Sequence, residues 1–303
     1  MSDIKGTACI RVEGLTRFFG KTKALNELSF AVEEGQIIGL LGRNGAGKST
    51  LLRILSAQLR PGAGEAEVFG AKVTSVAALG DLCMIGDSPD FGQLKNIKEL
   101  FAVCQGLFPE WDADYAAQLV ERFELPMKKK LKGFSRGMQT AMLLTVGLAS
   151  GARLTVFDEP SLGLDAVMRE RFYDQLLEER RRHPGRTFMV STHLIDEVCR
   201  TLDYAVMIDA GRLLCEGSTE ELTALYMSIS GATEAVREAT QGFDVLKEEE
   251  LAGSLVRHVR MKQKSDAEAM KADSRIRSAP MSLQRLFVFL TEEEEEVRHA
   301  ANA

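Results

Sequence analysis

Residues 42–50 read Gly-Arg-Asn-Gly-Ala-Gly-Lys-Ser-Thr, so glycines run straight into a lysine and two hydroxyls. The spacing is G-x-x-x-x-G-K-S. Glycines let the backbone curl until successive N–H groups converge on one anion. This is the pattern of a phosphate-binding loop. Lys48 has the reach and charge for β- and γ-phosphates, and the Ser49 hydroxyl is a ligand for Mg²⁺. A glycine turn that merely joins two elements is the competing explanation, and the flanks weigh against it. "QIIGLLG" is a short continuous apolar run, the pattern of a buried parallel strand. "KSTLLRILSAQL" has apolar residues at helical spacing, so the loop meets a helix N-terminus whose partial positive charge adds to the nest.

Three further stretches carry groups that suit phosphate chemistry. "ARLTVFDEPSLGLD" opens with a buried strand, Leu154 to Phe157, and runs into Asp158-Glu159. Acids at the C-terminal end of a parallel strand face the crevice where open α/β sheets bind ligands. Asp158 is placed to hold Mg²⁺ through water, and Glu159 to polarise an attacking water. Paired acids are also ordinary solvated strand ends; the phosphate loop upstream decides for chemistry. "TFMVSTH" is another buried strand, ending at His193, within reach of a γ-phosphate or simply structural. In "KGFSRGMQTAMLLTVGLA", Ser135 and Gly137 open an apolar helix. That N-terminus is either a second anion site or an ordinary serine N-cap, and spacing alone leaves both open.

Taken together, "GRNGAGKST", "FSRGM" at 134–138, "LTVFDEP", "SLGLD" and "STH" resemble the ATP-binding cassette (ABC) family in order and spacing, from residue 15 to about 217. The interval between residues 49 and 135 resembles that of transporter cassettes and is too short for the coiled-coil insertion of the related DNA-clamp ATPases. The resemblance implies a P-loop NTPase core with a mixed sheet, an antiparallel β subdomain, a helical signature subdomain and a small C-terminal α+β extension. It implies ATP and Mg²⁺ as ligands. The phosphates would be held by Gly42, Asn44, Gly45, Ala46, Gly47, Lys48, Ser49 and Thr50, and adenine would stack on Phe19. Glu159, His193 and Lys48 would be catalytic. Ser49 and Asp158 would ligate the metal. Ser135, Gly137 and Asp165 would meet the nucleotide of a facing subunit, so that ATP joins two cassettes head to tail. Two positions depart from the family pattern. Arg136 stands inside the signature, where the usual run is L-S-G-G-Q. Asp87, with Gln93 further on, stands where the family places a metal-contacting glutamine that also couples to the membrane partner; Asp87 is an oxygen ligand and is taken as the third metal residue.

The chain has 303 residues, 45% apolar and 27% charged, and a formal net charge of −6. That suits a soluble globular chain with no nucleic-acid partner. Five scattered cysteines without a C-x-x-C pair suggest neither a zinc site nor a disulfide frame and fit a reducing cytoplasm. "TAMLLTVGLASGARLTVF", the longest apolar-rich stretch, is broken by Arg153 and glycines and falls short of the roughly 20 residues a membrane span needs. The layout expected is a nucleotide-binding domain over 1–225 and an accessory region over 226–303. Within the first, short strands occupy 8–70 and a helical subdomain about 88–150. Phe91, Phe108 and Trp111 lie in that subdomain as core or as anchors for a membrane protein. "KKKLK" is read as solvated surface. The tail is read as alternating strands and short helices, then a charged loop or exposed helix over "KQKSDAEAMKADSRIRSAP", then a terminal helix with a frayed acidic run. The expected function is that of an ATPase subunit of a transporter, exporting through a separate permease. It would work as a dimer, more readily a homodimer, on the cytosolic side of the membrane. A soluble ATP-dependent clamp or regulatory cassette is the alternative; a fused second cassette or a basic groove would mark it, and the sequence has neither.

Overall fold

The computed structural model describes residues 8–75, 79–86, 91–251 and 253–302. They fall into two compact units, Met1–Leu194 with Arg200–Leu213, and Ile195–Cys199 with Leu214–Ala303.

In the first unit, β1 (Ala8–Phe19) and β2 (Thr22–Glu33) form an antiparallel hairpin. Both strands run for 12 residues rather than the short lengths expected. Register shifts around Gly14 (φ +58°) bend β1, and a bent strand can stay paired over that length. After β3 (Ile37–Leu41) and α1 (Lys48–Leu55), β4 (Ala63–Val68) and β5 (Ala71–Lys72) complete a sheet of order β2-β1-β4-β5. Helix α1 ends four residues before the apolar pattern does. The Ser56 hydroxyl turns back on Leu52 O, and Ala57 takes φ +57°, which closes the helix.

The chain continues through β6 (Leu82–Ile85), α2 (Ile97–Leu107), α3 (Ala113–Arg122) and α4 (Arg136–Ala149). Asn96, Asp112 and Ser135 cap these three helices, each side chain accepting from an N–H of the first turn. Phe101, Phe108 and Trp111 pack together, with ring centroids 5.3 and 6.5 Å apart, and are partly buried. The 128–130 lysines and Lys132 are exposed, as expected. Then come β7 (Leu154–Asp158), α5 (Ala166–Arg182), β8 (Thr187–Thr192), the short α6 (Ile195–Val198), β9 (Tyr204–Asp209) and β10 (Arg212–Ser218). Of these, α6 belongs to the second unit, and β10 passes into it at Leu214. The second sheet has order β10-β9-β3-β8-β7-β6. Strands β9, β3, β8, β7 and β6 are parallel. A two-residue turn, Ala210-Gly211, both at positive φ, leads into β10 and makes the sheet mixed. All five residues of β3 are buried. Leu51, Leu52, Ile54 and Leu55 of α1 join Ile38, Leu40, Val156 and Val206 of this sheet and Ile10, Leu25 and Phe30 of the other in one core cluster. Each such side chain contributes about 1.5–3 kcal/mol, which is what fixes α1 between the two sheets.

The second unit carries α7 (Thr219–Leu225), β11 (Tyr226–Ala232), α8 (Thr233–Ala239), β12 (Asp244–Leu251), β13 (Ser254–Arg260), α9 (Lys264–Ala272), β14 (Ile276–Pro280) and α10 (Leu283–Asn302). Its sheet has order β12-β13-β11-β14 and is antiparallel throughout, so β11 to β14 make a split βαββαβ unit. One face (Met227, Ile229, Leu255, Val259) packs on Val236 of α8 and on Ala267 and Met270 of α9. The residues alternating with these face α10: His258 lies 4.7 Å from the Phe289 ring and accepts from Arg285. Two readings of the tail are corrected here. The charged stretch holds a helix and also a strand, β14, which pairs with β11. The acidic run is helical to Asn302, with Glu292 paired to Lys247 of β12.

Candidate functional site

Residues 42–47 connect the buried end of β3 to α1. Gly47 has φ +104° and a Cβ there would stand 2.5 Å from Ala24 O; a Cβ on Gly42 would stand 2.5 Å from Ile208 O. The loop is therefore pressed against backbone on two sides, and glycine is required at both positions. Gly45 is also left-handed, at φ +83°, but has open space around it. Gly47 is the N-cap of α1, and no side chain caps that helix. The N–H groups of its first turn have no intrahelical acceptor and lie at the end of the loop, where an anion would satisfy them.

The lysine that follows is buried. Lys48 is 5% exposed, donates to Gly42 O at 2.7 Å and Arg43 O at 3.2 Å, and stands 3.3 Å from Glu159 Oε1. Asp158 ends β7 and accepts from Ser191 Oγ of β8 at 2.8 Å. Glu159 has φ +51°, a left-handed conformation uncommon for such a residue. Its Oε2 takes His193 Nδ1 at 2.9 Å and Thr192 Oγ1 at 3.4 Å. An ionised carboxylate only accepts, so the His193 ring nitrogen that faces it, Nδ1, carries a proton. Lys48, Glu159 and His193, from the starts and ends of three parallel-sheet connections, thus converge. They share a cavity of about 460 Å³ with Asn44, Gly45, Gly47, Ser49 and Thr50. Oxygen donors for a hard cation are at hand in the exposed Ser49 hydroxyl and in Asp158.

A family profile described as "ABC transporter" matches residues 25–162. The chain is 33% identical over 225 residues to the daunorubicin resistance ATP-binding protein DrrA3 of Streptomyces coeruleorubidus, covering 71% of this chain and 70% of that one. It is 33% identical over 221 residues to the Nod factor export ATP-binding protein I of Rhizobium meliloti (strain 1021), covering 70% of this chain and 65% of that one. The chain belongs to the ABC transporter ATP-binding protein family. Its fold matches that of an ATP-binding subunit of an ABC transporter (TM-score 0.63, 22% identity, 69% of this chain and 90% of that chain). It also matches a bacterial ABC transporter cassette solved as a dimer (TM-score 0.60, 20% identity, 69% and 98%). Such cassettes bind and hydrolyse ATP, and this one is an ATPase of that kind.

Phe19, Ala46, Ser135, Gly137 and Asp165, also singled out in the sequence, are not among the residues that line this cavity. Phe19 ends β1 at 48% exposure, with the Arg17 guanidinium 5.3 Å from its ring. Ser135 caps α4 through Met138 N–H, and Asp165 caps α5 through Met168 N–H; both are exposed. Within one chain, then, both act as helix caps. Gly137 lies against the loop after β7, where a Cβ would meet Gly163 O at 2.7 Å. Ala46 is buried beneath the loop. Asp87 lies outside the described residues, and Gln93 is exposed in a turn. Spacing missed Ala24, Arg43 and Leu162, which also line the cavity, and the hydroxyls Ser191 and Thr192 that hold the two acids. Hydroxyls at the end of the otherwise apolar "TFMVST" are the signal that could have found the last two.

Proposed function

We propose that the cassette drives export through a membrane permease on another chain, as a homodimer at the cytosolic face of the membrane. The observation that carries this is the Lys48–Glu159–His193 cluster set against the 42–49 loop. ATP would lie on the first-turn N–H groups of α1, with Lys48 neutralising its outer phosphates and Phe19 offering a ring to adenine. Ser49 and Asp158 would hold Mg²⁺, with Asp87 as the third ligand that the family resemblance implies, and the ion would neutralise phosphate charge when bound. Glu159 would take the proton of the attacking water, and His193, oriented through Nδ1, would present Nε2 toward the γ-phosphate. Ser135, Gly137 and Asp165 would face the nucleotide of the second copy.

Export is favoured by the relatives, whose names concern drug resistance and Nod factor export. No helix among the described residues is long and apolar enough to cross a membrane; a membrane permease as partner is favoured by the same relatives, which are named as ATP-binding proteins of resistance and export systems. The half-exposed Val103 and more exposed Leu107 of α2, beside the Phe101–Trp111–Phe108 cluster, form an apolar patch suited to receive it. The test is Glu159→Gln. With MgATP this variant accumulates as a dimer by light scattering, while wild type turns ATP over and dissociates. A variant that stays monomeric, together with a wild type that shows no Mg²⁺-dependent hydrolysis, refutes the proposal.

A further inference from the structure

The signature helix and the catalytic acid are tied together inside a single chain. Glu159 N–H donates to Ser191 O at 2.8 Å, and Leu162 N–H returns to Glu159 O at 3.1 Å, so residues 159–162 form a closed turn. On the far side of that turn, Thr140 Oγ1 of α4 donates to Leu162 O at 3.2 Å. Two more contacts surround this bond. Gly137 approaches Gly163 O so closely that any Cβ would clash, and the Arg136 side chain lies across Gly163, whose φ is +82°. The first five residues of α4 therefore grip the loop whose first residue is Glu159.

We propose that Thr140 is a positioning residue for hydrolysis: its hydroxyl holds the Glu159–Leu162 turn and so sets where the Glu159 carboxylate stands. The chain of contacts is short. Thr140 fixes the carbonyl of Leu162, and the N–H of the same residue fixes the carbonyl of Glu159. Glu159 occupies a left-handed conformation that persists only when its surroundings impose it. Leu162 also lines the cavity, so a shift of the turn changes both the base and the wall beside it. Movement of α4 is transmitted to the acid by the same route, because Ser135 and Thr140 lie on one helix, one turn and a half apart. The Thr140 hydroxyl is bonded to Leu162 O rather than to the phosphate loop, so its loss leaves the binding of ATP in place and degrades the chemical step.

The inference rests on the ATPase reading above, and the experiment separates the two. Steady-state Mg²⁺-ATPase and equilibrium ATP titration are measured on wild type, Thr140→Val and Thr140→Ser, with a thermal midpoint for each. Valine keeps the shape and removes the donor; serine keeps the donor. The expected result for Thr140→Val is a kcat lowered about three- to tenfold, the size one neutral hydrogen bond supports. Its KM and ATP affinity stay within about twofold of wild type, and Thr140→Ser returns to wild-type kcat. An unchanged kcat in Thr140→Val overturns the proposal. So does an affinity that falls with kcat, a serine variant as slow as the valine one, or a thermal midpoint lowered by more than a few degrees. A wild type without hydrolysis sinks both this and the proposed function; a hydrolysing wild type with an indifferent Thr140→Val sinks this alone.

Discussion

Alanine at Gly47 and alanine at Gly45 separate two costs that a phosphate loop can carry. Both glycines are left-handed, at φ +104° and +83°, so both substitutions incur the penalty of an L side chain there, about 1–2 kcal/mol. Only Gly47→Ala adds a second cost. Its Cβ would stand 2.5 Å from Ala24 O and 3.0 Å from Leu25 Cδ2, whereas a Cβ on Gly45 meets nothing within 4 Å. Ala24 cannot yield cheaply, because its neighbour Leu25 is paired with Arg17 in the β1–β2 ladder. Gly47 must therefore move instead, and the N–H groups of residues 48–50 move with it. The expected loss of ATP affinity is about 100-fold or more for Gly47→Ala, some 2.7 kcal/mol, against about tenfold or less for Gly45→Ala. Isothermal titration with ATP on the two variants decides the matter. Equal losses would refute the close-approach argument. Wild-type affinity in both would refute the claim that this loop cradles the phosphates at all.

His193→Ala removes the partner that orients Glu159 Oε2 and is expected to lower kcat about 100-fold with ATP affinity within about threefold; single-turnover hydrolysis checks it. Arg186→Met leaves the buried Glu179 carboxylate with only the more distant Arg182 and His183 and frees Leu148 O, costing about 2–3 kcal/mol in a urea melt. Adding Glu179→Gln to it should recover part of that loss. Burial, and the Arg285 guanidinium next to it, hold His258 below the usual imidazole range. The unfolded chain takes up that proton first, so this contribution is complete above about pH 6.5 and is lost as pH falls below it. Stability of wild type should therefore drop more steeply between pH 7 and 5 than that of His258→Gln, and equal slopes would refute the assignment. At Glu159 the usual order of glycine and alanine should invert. Glu159→Gly is expected to exceed Glu159→Ala in stability by about 1 kcal/mol, both being inactive, because φ there is +51°.

The phosphate loop was legible because every rule it obeys acts within about ten residues. Glycine marks the left-handed positions, the buried run marks β3, and the helical spacing marks α1. The partners of the acids were not legible for the opposite reason. Ser191 reaches Asp158 because β7 and β8 run parallel with those two residues in register, a relation 33 residues long in sequence. Ala24 meets Gly47 only because the β1–β2 hairpin folds against the loop. In the tail, "IRSAP" alternates poorly and ends in proline, which is how an edge strand reads before its neighbour is known; β11 makes it one. The acidic run is drawn into α10 by the turns before it, where Leu283, Leu286, Phe287 and Phe289 are buried, and by the Lys247–Glu292 pair. The helical subdomain lay between these extremes: Asn96 and Ser135 could be read as caps, while the grip of Thr140 on Leu162 could not.

The left-handed turn at Glu159 has a geometric reason. Along a strand, neighbouring side chains point to opposite faces of the sheet. Two consecutive acids at the end of β7 would then serve different sides, and only one of them could address the phosphate loop. Ending the strand at Asp158 and turning the backbone at Glu159 breaks that alternation. Asp158 stays in the sheet's last register, braced by Ser191, while Glu159 swings to Lys48 and His193. The turn costs about 1–3 kcal/mol in backbone strain. It is held by hydrogen bonds from both sides, Glu159 N–H to Ser191 O and Leu162 N–H to Glu159 O. The second of these is anchored through Leu162 to Thr140. The strain at the acid and the bond from the signature helix are thus two ends of one device: a residue that must leave the strand's pattern to reach its place needs something beyond the strand to keep it there.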